Sequence, residues 1–67
     1  MEPTIEALNR AYILMQDAAF ELYLASDKAV ESGLDSSAEL LRVQADKIFE
    51  QAENLGAIIM ELSNENS

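Results

Sequence analysis

Two apolar stripes of matching length, joined by Ser32-Gly33-Leu34-Asp35-Ser36-Ser37, leave this chain few ways to fold. Ile5, Leu8, Tyr12, Met15, Ala19, Leu22, Ser26 and Ala29 follow one another at steps of three and four, and so do Ala38, Leu41, Ala45, Ile48, Ala52, Leu55, Ile59 and Leu62. That period puts each set on one side of an α-helix. No run alternates with period two for long, and Ala, Leu, Glu and Gln dominate, which argues against strands. The spacing predicts a helix over about 4–31, a turn over 32–36, a second helix over about 37–62 and a frayed polar tail over 63–67. Helices of matched length joined by a short link lie antiparallel. The predicted fold class is therefore all-α, a two-helix antiparallel hairpin in one domain over 1–67.

The junction has the chemistry of a turn. Gly33 suits the left-handed conformation in which helices commonly end. Ser36 and Glu39 have the spacing of a capping box, in which the hydroxyl and the carboxylate each satisfy an amide of the first turn. Asp35 and Glu39 add negative charge at the positive end of the second helix. At the other end of the chain, Thr4 after Pro3 is the expected cap of the first helix, with Glu6 in its first turn.

Small residues recur every seventh position in both halves: Ala11, Ala18 and Ala25 in the first, Ala38, Ala45 and Ala52 in the second. Such rows let helices approach at the short end of the ~8–10 Å range. Gly56 costs helix propensity, and close approach on the same side accounts for it. Ser26 lies on the inner stripe, where a hydroxyl bonded back to its own helix would be satisfied.

Composition excludes several kinds of function. The chain has 67 residues, no cysteine and no histidine, so disulfides, thiolate metal sites and the commonest general base are missing. No Gly-rich phosphate loop is present. Carboxylate pairs at helical spacing, Asp17 with Glu21 and Asp46 with Glu50, read as a solvated acidic face. No cofactor, no metal and no enzymatic activity are expected. The net charge is −9, and Arg10, Lys28, Arg42 and Lys47 are scattered, so nucleic acid would be repelled. No stretch approaches the ~20 apolar residues of a membrane span, and the start lacks the pattern of a signal peptide. A soluble, cytoplasmic protein that binds no membrane is expected.

More apolar surface is present than one hairpin can cover. Leu40 and Ile58 widen the second stripe on one side, Phe49 and Met60 on the other. So small a chain often needs a staple, and with no disulfide or metal that staple is oligomerisation or a partner. The expected oligomer interface comprises Tyr12, Met15, Ala19, Leu22, Leu40, Ile48, Phe49, Leu55, Ile58 and Ile59, and a homodimeric four-helix bundle is the simplest way to cover it. Ile13, Phe20 and Leu24 align on the other side of helix one and form a candidate partner-binding patch.

The two-helix layout resembles the Rop-type hairpin, which pairs into an antiparallel four-helix bundle. Rop-type RNA binding uses basic and aromatic residues along helix one, whereas this helix carries only Arg10 and Lys28, so RNA binding is not implied. The stretch Phe49-Glu50-Gln51-Ala52-Glu53-Asn54-Leu55-Gly56-Ala57-Ile58-Ile59 is similar to the small helical-hairpin co-chaperones of type III secretion needle subunits. That likeness implies holding a partner's apolar helix. The functional expectation is a non-enzymatic protein-interaction module, acting as adaptor, co-chaperone or inhibitor. The alternatives are an acidic nucleic-acid mimic or regulator and a purely structural homo-oligomer.

Overall fold

The chain doubles back on itself once. A computed structural model describes residues 3–65 as two α-helices, α1 (Pro3–Glu31) and α2 (Asp35–Glu65), packed side by side. At ~1.5 Å per residue these are rods of roughly 45 Å. The hairpin measures 51 × 14 × 10 Å, with a radius of gyration of 15.3 Å. A globular chain of this length would have about 11 Å, so the shape is that of a thin bar.

The turn is shorter than the sequence suggests. Gly33 adopts φ +77°. The Leu34 N–H donates to the Ala29 carbonyl at 2.8 Å, and the Gly33 N–H to the Val30 carbonyl at 3.0 Å. These two bonds form a Schellman motif, which satisfies carbonyls that the end of α1 would otherwise leave free. The Leu34 carbonyl already accepts from the Ala38 N–H at 2.9 Å, so α2 starts at Asp35 with Leu34 as its cap. Ser36 is therefore inside the first turn and cannot form the expected box with Glu39, because a capping hydroxyl must precede the first helical residue. Asp35 does lie in the first turn of α2.

The outer ends differ from expectation as well. The described part of α1 begins at Pro3, a position for which proline's fixed φ and missing N–H are suited. Thr4 thus sits within the first turn. At the far end α2 continues through Ser63 and Asn64 to Glu65, beyond the predicted stop near 62. The rest of the expected frayed tail, 66–67, lies outside the described residues.

The seam is built from small side chains. Ala19, Ala29, Ala38, Ala45, Ala52, Ile5 and Ser26 are the buried residues, and Ala45 and Ala52 are 0% exposed. Among the described residues no large side chain is fully buried. With mostly methyl groups between them, and Ile5 alone of larger size near the outer end, the helix backbones set each other's position closely. The Ser26 hydroxyl donates across the seam to the Ala38 carbonyl at 2.8 Å. The local bond expected of it, back to α1, is replaced by a tertiary one next to the turn. Such a bond contributes about 1 kcal/mol, and its loss would leave a buried group unpaired.

The Gly33→Ala variant tests the turn. No atom lies within 4 Å of a Cβ built there, so only the positive φ opposes the change. Urea unfolding at fixed protein concentration should show a loss of about 1 kcal/mol. An unchanged midpoint would mean that the turn does not depend on this conformation.

Candidate functional site

Each residue of a helix is rotated by about 100° from the one before, so the two helices can be read together around their common seam. On one side of the hairpin stand Ala11, Leu14, Met15, Ala18, Leu22 and Ala25 of α1. Leu40, Leu41, Gln44, Ile48, Gln51, Leu55, Ile58 and Leu62 of α2 continue it. Of the described acidic residues only Glu21, Glu61 and Glu65 fall here, at the margins, in or near the rows of Leu14, Leu40 and Ile58. Glu21 and Lys47 mark its two outer rims. Leu14 and Leu40 are about two-thirds exposed, while Met15, Leu22, Leu41, Ile48, Leu55 and Leu62 are half-buried. An open trough of about 390 Å³ runs between Leu14, Met15 and Ala18 on one helix and Lys47, Ile48 and Gln51 on the other.

The other side has the opposite character. Glu39, Asp46 and Glu53 recur every seventh residue along α2, and Asp27 and Glu31 border α1. Among these charges Phe20 and Met60 stand at 62% and 68% exposure, with Phe49 less open. A second trough of about 470 Å³ is lined by Asn9, Tyr12, Glu53, Gly56, Ala57, Ile59 and Met60. Its floor exists because Gly56 has no side chain: a Cβ there would come within 3.1 Å of Tyr12 Cε1. The close approach expected of Gly56 is thus made to an aromatic ring. Gln16 Nε2 donates to the Tyr12 hydroxyl at 3.1 Å.

Further along this side, the Tyr23 hydroxyl donates to Asp46 Oδ1 across the helix pair. That hydrogen bond, with some desolvation and the Asp46 charge, holds the Tyr23 phenol above its ordinary range, and Arg42 opposes the effect. Both helices contribute, so the interaction exists only in the folded hairpin.

The structure distributes the sequence-expected residues unevenly. Met15, Leu22, Leu40, Ile48, Leu55 and Ile58 share the acid-poor side. Tyr12 and Phe49 lie on the acidic side, and Ile59 lines its trough. Ala19 is enclosed between the helices, where it serves the hairpin and no outer contact. Ile13, Phe20 and Leu24 are all exposed on α1, turned toward the acidic side. Sequence reasoning left Leu14 and Lys47 out of the interface, and gave Ala18 only a role in close approach, because it read each helix alone. The missing signal is the joint distribution of acids around both helices.

Chemically this is a surface with no convergent polar centre. Among the described residues no group of three or more Asp or Glu side chains could hold a metal ion, and no buried side-chain N or O lacks a hydrogen-bond partner. Among the described residues no helix is long and apolar enough to cross a membrane. No family model, curated protein or solved structure matches the chain. The likeness to Rop-type hairpins and to secretion co-chaperones therefore extends to a two-helix layout and no further.

Two measurements check this geometry. With Tyr12→Phe, Tyr23 is the sole tyrosine, and its ultraviolet titration should have a midpoint above the ordinary value of about 10. Asp46→Ala should bring it back toward that value. The folded pKa is raised, so the stabilisation is complete below about pH 10 and disappears as pH rises through the raised midpoint. For Gly56→Ala, helix propensity favours alanine by about 1 kcal/mol. That gain should appear in full in a Tyr12→Ala background and be smaller when the Tyr12 ring is present. Equal gains in both backgrounds would show that the ring does not press on Gly56.

Proposed function

We propose that this chain is a cytoplasmic, non-enzymatic protein-interaction module, an adaptor, co-chaperone or inhibitor in kind, that pairs with a second copy to form a four-helix bundle. The observation that carries this reading is the segregation of charge around the hairpin. Two copies, each at −9, repel one another over most of their surface. The side bearing Leu14, Leu22, Ile48 and Leu55 has its few carboxylates at the margins, so two copies meet there with the least repulsion.

Area and burial favour the same arrangement. The chain leaves 4919 Å² accessible. A folded monomer of its mass would expose about 4,200 Å². A side 51 Å long and 14 Å across offers roughly 700 Å² per copy. The total of about 1,400 Å² falls within the ~1,200–2,000 Å² of stable interfaces. Half-buried Met15, Ile48 and Leu55 would complete their burial there, and Gln44 and Gln51 would supply polar contacts at its edge.

Sedimentation tests the pairing. The wild-type chain should sediment as a dimer at micromolar concentration, and Leu14→Glu with Leu40→Glu should shift it to monomer. Both side chains project outward, so neither change disturbs the seam itself. A compact wild-type monomer at about 100 μM would overturn the proposal, since an interface of this size should be filled well below that.

A further inference from the structure

We propose that the acidic side of the hairpin is a docking groove for a cationic amphipathic helix of another protein. This inference is independent of self-pairing, because it uses the opposite side. Three features converge on it. First, the trough floored by Tyr12 and Gly56 is an open, largely apolar channel between the antiparallel helices near their outer ends. Second, Met60 lines it, and Phe20 and Phe49 stand further toward the turn on the same side, with much of their surface in water. Large aromatic and Met side chains in that state are the usual anchors of a helix-in-groove contact.

Third, the charges are arranged as a rail. Glu39, Asp46 and Glu53 recur along α2 at intervals of seven residues, or about 10.5 Å along the axis. Glu53 lines the trough, and the other two continue toward the turn; Asp46 is bonded to Tyr23, and Arg42 is the one described cation near them. The three carboxylates do not converge on a point, so they match a row of separate positive charges better than a single metal ion. A second copy of this chain would bring its own acids against them, and nucleic acid would bring phosphates. A helix with Lys or Arg every seventh residue beside an apolar stripe presents the complementary row. The charges would set its register and speed its arrival, and the apolar residues would supply most of the affinity.

Two synthetic peptides of identical Leu, Ala and Lys composition test the assignment. In one, Lys recurs every seventh residue alongside a Leu stripe; in the other, the order is shuffled so that no amphipathic side exists. Titrated by fluorescence anisotropy against the full chain at physiological salt, the patterned peptide should bind at least about tenfold more tightly. Phe20→Ala combined with Phe49→Ala leaves the charge unchanged and should weaken that binding about tenfold or more, whereas Leu14→Ala should leave it unaltered. A photoreactive group on the patterned peptide should label the Phe49–Met60 side of the wild-type chain, which keeps the test independent of how the variants fold. Equal binding of both peptides would show only attraction of a polycation to an acidic surface and would overturn the proposal. Labelling on the Leu14 side would overturn it equally.

Discussion

Contact between the two helices depends on side chains of one carbon. Alanines at 19, 29, 38, 45 and 52 fill the seam, with Ile5 at its outer end and Ser26 as the one buried polar residue among those described. Because nothing larger separates the helices near the turn, the backbones lie close there, and the Ser26 hydroxyl can reach the Ala38 carbonyl directly. The same closeness forces the larger apolar residues out of the seam. Leucines and isoleucines that would form a core in a wider fold end up on the flanks, half covered or open. The thin bar, the long troughs and the excess of accessible surface all follow from that choice of small residues.

What occupies the flanks then separates them. One is mostly Ala, Leu, Ile and Gln, with Glu21, Glu61 and Glu65 only at its margins; the other mixes carboxylates with Phe20, Phe49 and Met60. Burying a carboxylate without a partner costs several kcal/mol, so an acid-bearing flank resists being covered by anything that is not cationic. The acid-poor flank carries little of that penalty along its middle. Two sides of one small hairpin therefore prefer different neighbours, and a molecule with no enclosed pocket can still discriminate among partners.

Much of this was legible in the residue pattern. Stripes of period three and four implied two helices, Gly33 implied the break, and Ala rows implied a tight seam. The precise turn was not legible, because Ser36 with Glu39 imitates a cap that Leu34 in fact supplies through its backbone alone. Ser26 was placed correctly on the inner stripe but paired with the wrong acceptor, since a periodicity says which side a hydroxyl faces and nothing of which carbonyl it meets. The proposed interface mixed residues of two flanks for a related reason: Phe49 and Ile48 are neighbours in sequence yet fall on opposite sides of the seam. Only superposing both helices about their shared axis separates them.

An alanine seam also divides the chain's tolerance to change. At Ala45 and Ala52 even one added methylene must push the rods apart, at a cost of about 1–3 kcal/mol. Outside the seam, most positions need only to favour a helix and keep their polarity. A handful of small residues and one glycine thus define the architecture, while the rest of the surface can be rewritten with little penalty. Hairpins of this design can keep one shape through extensive sequence drift, and what they retain in common would be too sparse to betray kinship.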